Sequence, residues 1–463
     1  MLMTRAEAFD TDFLARATGG LAVGTPRGAR VETDSRLDLT GALFVAIKGP
    51  NFDGHDFVAE ALAKGAAGAV VSRSWWGRGG SNITNVIVVN DTLEALHALA
   101  AAHRARRPIP LAAVTGSNGK TTTKELMALA LSPLGFVLKT EGNHNNHIGL
   151  PLTILRITPE HRAAAVEIGL NHPGELAVLS RIAAPQVGAI TNVAASHLEG
   201  LGSVDGVARA KVEIAEGITP DGVLVTPWGS PPLERALEGY RGRRRTFGLT
   251  EEADLYPARV ADRGAEGMEI TFAEGVTVRV PLLGAHAAMN VLAALATATA
   301  LGIPLAEAAR PLEKVRATSG RLSPRRLGKV LLLDDTYNAN PGSLAAALRV
   351  LERMPVQGKR WAILGDMLEL GPDGPLLHEQ AGRGAAFLDG LILVGELARS
   401  IGRGARAAGL GAGALHEAAS CEDAAEIALA QVKEGDVILV KGSRGMHLER
   451  AVARLVEALG EKD

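Results

Sequence analysis

The sequence predicts an α/β protein of three domains. These are a central domain with a phosphate-binding loop and a doubly wound, mainly parallel sheet, a C-terminal Rossmann-like α/β domain and a smaller N-terminal α/β domain. The chain has 463 residues, enough for roughly three domains that each bury a core. Two series of apolar runs alternate with helical segments, as in parallel sheets. From the breaks between them we expect domains at residues 1–108, 109–317 and 318–463.

The N-terminal domain is predicted from short apolar runs between turn signals, GALFVAIKG, GAAGAVVS and NVIVVND. A helical stretch, TLEALHALAAAHRARR, follows them and ends in basic residues. Pro108 and Pro110 come directly after it. Because proline stops a helix, we interpret this pair as the linker to the central domain.

The central and C-terminal domains are predicted from two sets of buried strands. The first set consists of the apolar runs LAAVTG, AAAVEIG, VGAITNV and GVLVTP. The second set follows a break near ATSGRLSP and consists of KVLLLDDT, RWAILGD, GLILVGE and DVILVKGS. Between the sets, MEITFAEG and VTVRVPLLG predict two alternating strands, and NVLAALATATALG predicts a helix. We interpret the basic run Arg241–Arg245, which precedes this region, as a solvated loop.

Composition and charge argue against several functional classes. The formal net charge is −2 at pH 7, so we expect no binding to nucleic acid or to an anionic membrane surface. No apolar run approaches the roughly 20 residues of a membrane span, and the acidic, interrupted N-terminus is unlike a secretory signal. Cys421 is the single cysteine; we interpret it as structural and expect a reducing, cytoplasmic location. We expect a monomer.

Residues 111–125, LAAVTGSNGKTTTKE, predict a strand that leads into a phosphate-binding loop and a helix. Glycines let the backbone curl so that successive N–H groups point at one anion, and the helix adds the positive end of its dipole. The lysine can reach the β- and γ-phosphates, and the hydroxyl after it can hold Mg²⁺. Val114 replaces the usual first glycine, so a chance match is the alternative. The candidate nucleotide-binding residues here are Thr115, Gly116, Ser117, Asn118, Gly119, Lys120, Thr121 and Thr122.

Two further polar residues follow strands of the same predicted sheet. Glu167 ends the run AAAVEIG, and His197 follows ITNVAAS. In a parallel sheet, ligands gather at the carboxyl ends of the strands. A hydroxyl, a carboxylate and an imidazole therefore meet at one edge, where they can bind Mg²⁺ between ATP phosphates, although His is an uncommon ligand for so hard a cation. The alternatives are a solvated glutamate and a histidine that caps a helix.

Lys211 lies on the apolar face of the predicted helix SVDGVARAKVEIAEG, four residues after Val207 and three before Ile214. Burial of an ammonium group is costly without a compensating partner. One interpretation is a side chain whose stem packs while its charged end reaches water. The other is a lysine with a lowered pKa that reacts with CO₂, so that the resulting anionic carbamate can bind or orient ligands around Mg²⁺. The sequence leaves both open.

Several motifs together resemble the Mur ligase family: TGSNGKTT, EGNHNNHIGLP, EIGLNHPGE, NVAASHLEGLGS, ARAKVEI, SGRLSP and DDTYNANPGS. The similarity runs from TDSR and LFVAIKGPNFDGHDF to ILVKGSRGMHLE and covers nearly the whole chain. The segment DTYNANP is most similar to the members that join D-alanyl-D-alanine to UDP-N-acetylmuramoyl-tripeptide, whereas members that add other amino acids carry different residues there. Another Mur-type ligase, or one like folylpolyglutamate synthase, is the alternative function; a P-loop kinase or nucleotide switch would not explain the C-terminal motif.

The resemblance implies an ATP-dependent ligase that uses Mg²⁺ and forms an amide through an acyl phosphate, in the synthesis of a peptidoglycan precursor. It implies catalytic roles for Lys120, Lys211 and Arg321, the lysine at 211 being the one that the family carbamylates. It further implies nucleotide contacts from Asn290, Arg321 and Asp335. The implied metal-binding residues are Thr121, Glu167, His197 and Lys211. One departure is the segment His286-Ala287-Ala288-Met289-Asn290, which lacks an amide that relatives commonly carry.

The resemblance also assigns substrate contacts to each domain. In the N-terminal domain, polar residues on either side of an apolar strand suit the uridine nucleotide; the alternative is an ordinary loop with solvated charges. Amides of the EGNHNNHIG segment suit diphosphate and sugar oxygens, and the residues after KVLLLDD are expected to select the dipeptide. The candidate substrate-binding residues are Ser35, Arg36, Lys48, Asn143, Asn145, Asn146, Tyr337, Asn338 and Asn340.

Overall fold

The structure, a computed structural model, describes residues 9–461. The first eight residues, part of the N-terminus interpreted above as unlike a secretory signal, and the last two lie outside the described residues. The described chain forms four β-sheets surrounded by helices, which confirms the predicted α/β class. No helix within residues 9–461 has both the length and the apolar character that a membrane crossing requires.

The N-terminal part is a five-stranded sheet in the order β1-β5-β4-β3-β2, parallel except for the edge strand β1. The strands are β1 (Leu21–Val23), β2 (Arg30–Glu32), β3 (Ala42–Val45), β4 (Gly68–Ser72) and β5 (Val86–Val89). The helices are α1 (Thr11–Thr18), α2 (Val58–Ala63), α3 (Arg73–Trp76) and α4 (Thr92–Arg106). The carboxylate of Asp91 caps α4 by accepting hydrogen bonds from the N–H groups of Leu93 and Glu94, and the helix ends before Pro108 as predicted.

The central part is a six-stranded, wholly parallel sheet in the order β11-β10-β9-β6-β8-β7. The strands are β6 (Leu111–Thr115), β7 (Val137–Lys139), β8 (Ala163–Glu167), β9 (Val187–Ile190), β10 (Val223–Pro227) and β11 (Arg243–Phe247). The helices are α5 (Lys120–Ala130), α6 (Gly149–Leu155), α7 (Glu175–Ala183), α8 (Leu198–Leu201), α9 (Val204–Val212) and α10 (Pro231–Ala236).

The interpretation of Arg241–Arg245 as a loop was wrong, because Arg243–Phe247 forms the edge strand β11. An edge strand needs one neighbour only, so its other side stays in water and tolerates charge. Arg244 turns its guanidinium back to the Glu234 carboxylate and donates to the Thr226 hydroxyl at 2.8 Å. Hydrogen bonds to β10 therefore override the polar composition of the segment.

A small antiparallel sheet and two helices complete the central part. The strands are β12 (Arg259–Asp262), β13 (Met268–Thr271) and β14 (Thr277–Val280), and the helices are α11 (Ala285–Ala300) and α12 (Leu305–Ala309). The strands predicted from MEITFAEG and VTVRVPLLG are β13 and β14. Helix α11 begins five residues before the predicted start at Asn290 and packs against α5, β9, β10 and β11.

The C-terminal part is a six-stranded sheet in the order β15-β16-β20-β17-β18-β19, parallel except for β15. The strands are β15 (Ser323–Leu327), β16 (Val330–Asp335), β17 (Arg360–Gly365), β18 (Gly390–Val394), β19 (Leu415–Ala418) and β20 (Val437–Lys441). The helices are α13 (Pro341–Arg353), α14 (Gly374–Gly382), α15 (Ala398–Ala407), α16 (Cys421–Gln431) and α17 (Glu449–Leu459). Cys421 is a buried free thiol at the start of α16.

The N-terminal and central parts share a hydrophobic core, and a buried arginine joins them. Phe13, Leu96 and Val166 belong to one continuous apolar cluster. Beside it, Arg104 of α4 is 5 % exposed and donates to the Ala183 carbonyl at 2.9 Å. Its other hydrogen bonds reach the carbonyls of residues 107, 109 and 184 and the side chain of residue 186. Burial lowers the pKa of Arg104 to about 10, so the group stays charged at pH 7.

Replacement of Arg104 tests this junction. Arg104→Met would leave the buried Ala183 carbonyl and three partly buried carbonyls without this donor, and a buried unsatisfied group costs about 1–3 kcal/mol. We expect the midpoint of urea unfolding to fall clearly in Arg104→Met but little in Arg16→Met, because Arg16 is an exposed arginine of α1 in the N-terminal part. Equal midpoints for the two variants would show that Arg104 does not hold the two parts together.

Candidate active site

A cleft of about 1150 Å³ lies where the three parts meet, and most of the predicted site residues line it. These are Thr115, Ser117, Asn118, Gly119, Lys120, Thr122, Asn145, Asn146, Glu167, His197, Lys211, Asn290, Arg321, Asp335, Tyr337, Asn338 and Asn340. Two others lie directly behind the wall, where Lys120 Nζ donates to the Gly116 carbonyl and the Thr121 hydroxyl contacts Glu167. The cleft lining does not include Ser35, Arg36, Lys48 and Asn143.

The central sheet brings its polar residues together because its three middle strands end in register. Val114 of β6 pairs with Glu167 of β8, and Thr115 pairs with Ile190 of β9. The loop after β6 and the carboxylate at the end of β8 thus lie at the same edge. His197 follows β9 at that edge, as predicted.

The phosphate-binding loop is held by close backbone contacts. Gly119 has a φ of +78°, and a Cβ there would lie 2.4 Å from Oδ1 of Asn290. Gly116 has a φ of +151°, and a Cβ there would lie 1.8 Å from Oγ1 of Thr191. Asn118 N donates to Asn192 Oδ1 at 3.0 Å, and the Thr191 hydroxyl donates to the Asn118 carbonyl at 2.6 Å. Both glycines are therefore required by the geometry of the loop.

Two side chains beside the loop can supply oxygen ligands to a divalent cation. The Thr121 hydroxyl donates to Glu167 Oε2 at 2.9 Å, and Asn145 Nδ2 donates to Glu167 Oε1 at 2.8 Å. Glu167 is 2 % exposed, and Thr121 is 9 % exposed. A hydroxyl and a carboxylate beside a phosphate site match Mg²⁺, which takes the rest of its ligands from phosphates and water. Among residues 9–461 no group of three or more His, Cys, Asp or Glu residues could hold a metal ion.

His197 contacts a carboxylate from the C-terminal part. Its Nδ1 lies 2.7 Å from Oε2 of Glu369, and this contact holds the pKa of the Glu369 carboxyl below its usual value. His197 occupies the cap position of α8, but its side chain makes no capping hydrogen bond. Sequence reasoning missed Glu369, which follows β17 without any recognisable motif.

Lys211 is buried without a partner. It is 2 % exposed, lies in the last turn of α9 and lines the cleft. No described residue forms a hydrogen bond or an ion pair with its terminal nitrogen. Burial, and then the positive charge of Lys120, lower the pKa of Lys211 well below its usual value. The interpretation of Lys211 as a side chain whose charged end reaches water is therefore wrong.

Burial also lowers the pKa of Lys120, and Arg321 adds to this effect while Glu167 opposes it. The guanidinium of Arg321 donates from Nη2 to the Thr121 hydroxyl at 2.9 Å. Lys120 therefore has two basic neighbours, Lys211 and Arg321, and one acidic neighbour, Glu167. Such an excess of positive charge favours anionic ligands.

The C-terminal part contacts the phosphate-binding loop through amides. Asn340 Nδ2 donates to Asn118 Oδ1 at 2.8 Å, and Asn118 Nδ2 donates to Asn340 Oδ1 at 3.4 Å. Asn340 also caps α13, in a capping box with Ser343. Its amide is therefore engaged by protein groups on both sides.

The other predicted C-terminal residues surround a buried ion pair that the sequence did not reveal. Lys441 Nζ lies 2.6 Å from Asp335 Oδ2 and donates to the Asn338 carbonyl at 2.9 Å. Lys441 is 2 % exposed. The guanidinium carbon of Arg321 lies 3.7 Å from the centre of the Tyr337 ring. These contacts fix the DTYNANP segment against the cleft.

Three family descriptions match the chain. They are the Mur ligase family catalytic domain over residues 29–104, the Mur ligase middle domain over 114–298 and the glutamate ligase domain of Mur ligases over 320–444. Two curated relatives are named UDP-N-acetylmuramoyl-tripeptide–D-alanyl-D-alanine ligase. The one from Bacillus subtilis is 37 % identical and the one from Escherichia coli 38 %; each match covers 92 % of this chain and 93 % of the relative.

Solved structures show the same fold. MurF from Acinetobacter baumannii is 33 % identical with a TM-score of 0.88, and the match covers 98 % of this chain and all of that one. MurF from Thermotoga maritima in complex with ADP is 30 % identical with a TM-score of 0.82, over 93 % of this chain and 97 % of that one. Folylpolyglutamate synthase from Mycobacterium tuberculosis, at 17 % identity and a TM-score of 0.61, shares the fold alone.

A test of the loop uses two glycines with similar backbone angles. Gly119→Ala should lower the affinity for ADP more than about tenfold, because the new methyl group would displace Asn290 and distort the loop. Gly19→Ala is the control, since Gly19 has a φ of +64° but no atom within 4 Å of an added Cβ. Isothermal titration calorimetry measures both. Unchanged ADP affinity in Gly119→Ala would contradict the placement of nucleotide at this loop.

Proposed function

This chain belongs to the Mur ligase family, and we propose that it joins D-alanyl-D-alanine to UDP-N-acetylmuramoyl-tripeptide at the expense of ATP. The products are UDP-N-acetylmuramoyl-pentapeptide, ADP and phosphate, so the enzyme serves peptidoglycan precursor synthesis. One observation carries the proposal. Arg321 stacks on Tyr337 of the DTYNANP segment and donates to the Thr121 hydroxyl. The segment typical of this acceptor therefore lies beside the loop to which we assign the phosphates.

The reaction begins with transfer of the γ-phosphoryl group of ATP to the terminal carboxylate of the tripeptide. The products of this step are an acyl phosphate and ADP. We assign Lys120 and Arg321 to the charge that develops on the transferring group, because positioned cations stabilise such a transition state. The amine of D-alanyl-D-alanine then attacks the acyl carbon, an amide bond forms and phosphate leaves.

Thr121 and Glu167 would hold Mg²⁺, and the bound ion would neutralise charge on the phosphates of ATP during the first step. We place His197 at the edge of this site, although its Nδ1 contacts Glu369 in this structure. The nucleotide base and ribose would lie against the wall of the cleft that Asn290 and α13 form.

We further propose that Lys211 acts as a carbamate. Its unpartnered, buried nitrogen next to Lys120 disfavours the ammonium form, and a neutral amine is the form that adds CO₂. The carbamate would be an anion between basic side chains, able to orient the ligands of Mg²⁺. This single modification would convert the unfavourable contact with Lys120 into an attractive one.

The domain roles remain proposals as well. The sheet boundaries support domains at residues 1–108, 109–317 and 318–463, which would bind the uridine nucleotide, ATP and the dipeptide respectively. Ser35, Arg36 and Lys48 would contact the uridine nucleotide, and Asn143, Asn145 and Asn146 the diphosphate and sugar. Tyr337 and Asn338 would face the dipeptide. Asn340 would affect dipeptide binding indirectly, because its contact with Asn118 helps to close the cleft.

We also propose that the enzyme works as a monomer in the cytoplasm. The single cysteine is a buried free thiol, which suits a reducing compartment.

Reconstitution tests the proposed function. With ATP, Mg²⁺, UDP-N-acetylmuramoyl-tripeptide and D-alanyl-D-alanine, the protein should release phosphate and form the pentapeptide detected by mass spectrometry. Omission of either the tripeptide or the dipeptide should abolish phosphate release, and Lys120→Ala should reduce turnover by roughly 100-fold or more. Ligation of a free amino acid such as glutamate in place of the dipeptide would assign the chain to a different ligase.

The carbamate makes a separate prediction. Lys211→Ala should be nearly inactive, acetate should restore part of its activity by filling the vacated space, and Lys211→Arg should stay inactive because it cannot add CO₂. In ¹³C-bicarbonate, NMR should show a carbamate carbon in the parent protein that is absent from Lys211→Arg. Its signal should weaken on acidification, because protonation of the amine removes the reactive form. Parent-like activity of Lys211→Arg would refute the proposal.

A further inference from the structure

The wall of the cleft around Tyr337 contains more positive than negative charge. Lys441 is neutralised there by Asp335, and Arg321 is held by its hydrogen bond to Thr121. Arg444 follows β20 and lines the same cleft, with its guanidinium carbon 6.0 Å from the centre of the Tyr337 ring. Among the residues that the structure describes at this wall, Arg444 carries the positive charge to which the proposed reaction gives no role.

The guanidinium of Arg444 is available to donate hydrogen bonds to a ligand. Its side chain is 62 % exposed, and its guanidinium donates no hydrogen bond to any residue in the range 9–461. The nearest carboxylate is that of Glu449, whose Oε1 lies 3.5 Å from Nη1 and 3.3 Å from Nδ1 of His447. This oxygen is shared between two basic groups and is too distant for a strong hydrogen bond to Arg444.

Another free arginine, Arg349, also lines the cleft but belongs to a different region. It lies on α13 and lines the cleft near His286 of α11, whose pKa is lowered by burial and, to a smaller extent, by the charges of Lys441 and Arg349. Met289 and Asn290 of α11 line the same region, which is the wall that we assign to the nucleotide base. Arg349 is therefore a less suitable partner for a group on the acceptor.

The distance from the phosphoryl-transfer site to Arg444 suits a short peptide. The guanidinium carbons of Arg321 and Arg444 lie 3.7 and 6.0 Å from the centre of the Tyr337 ring. The two carbons therefore lie between about 2 and 10 Å apart, a range that includes the roughly 7 Å span of an extended dipeptide. An acceptor whose amine attacks beside Arg321 can thus present its carboxylate to Arg444.

We propose that Arg444 binds the terminal carboxylate of the acceptor dipeptide. The inference rests on the proposed function and adds a residue that determines acceptor specificity. A guanidinium can donate two parallel hydrogen bonds to a carboxylate, which fixes both its position and its orientation. This contact selects an acceptor with a free carboxylate two residues from the reacting amine.

The experiment compares D-alanyl-D-alanine with its C-terminal amide in the full-length enzyme. The parent should favour the acid by about 10- to 100-fold in kcat/KM, the range for a hydrogen bond to a charged group. In Arg444→Gln the value for the acid should fall by that factor and the value for the amide should stay constant, so that the preference disappears. The KM values for ATP and the tripeptide substrate should not change.

Two further variants make the result specific. Arg444→Lys should retain part of the preference, because it keeps the charge but loses the paired geometry. Arg450→Gln is the matched control: Arg450 is exposed, pairs with Glu422 on α16 and does not line the cleft. It should behave like the parent.

Three outcomes would overturn the proposal. A parent-like preference for the acid in Arg444→Gln would show that another group binds the carboxylate. An equal loss for acid and amide would indicate a structural role for Arg444. Failure of the parent protein to ligate either peptide would overturn both the proposed function and this inference. The assay of the parent protein therefore separates that outcome from a failure of the inference about Arg444 alone.

Discussion

The organisation of the cleft depends on an excess of buried positive charge beside the phosphate-binding loop. Lys120 has two basic neighbours, Lys211 and Arg321. It also lies near Glu167, whose two oxygens are already engaged by Thr121 and Asn145. Desolvated cations that repel one another are unfavourable unless an anion joins them. Triphosphate, acyl phosphate and a carbamate on Lys211 are all anions of this kind, so the same electrostatic constraint explains nucleotide binding, charge stabilisation and modification.

The three parts of the chain are joined by two kinds of junction. The N-terminal and central parts share an apolar core and the buried Arg104, whereas most of the C-terminal part packs in cores of its own. The C-terminal part contacts the central part through polar side chains. These contacts pair Asn340 with Asn118, Glu369 with His197 and Arg321 with Thr121. Polar interfaces of this kind suit a domain that moves. Closure would then assemble the cationic site and exclude water from the acyl phosphate.

The sequence predicted the features that lie within single elements. Apolar runs located β6, β8 and β9, and helical periodicity placed Lys211 on a buried face. It did not predict contacts between elements far apart in the chain: Glu369 beside His197, and Lys441 beneath Asp335. Periodicity describes one element at a time, and no local pattern marks a charge that meets its partner only after three parts pack together. Strand β11 was missed because its basic residues can remain in water at the sheet edge.

The acyl phosphate is the central chemical claim, and oxygen transfer tests it most directly. The tripeptide substrate, labelled with ¹⁸O in its terminal carboxylate, is ligated to D-alanyl-D-alanine in the presence of ATP, and the released phosphate is analysed by mass spectrometry. Each turnover should move one labelled oxygen into phosphate, because the bond from carbon to that oxygen breaks when the amine attacks. Unlabelled phosphate together with normal formation of the pentapeptide would contradict the mechanism.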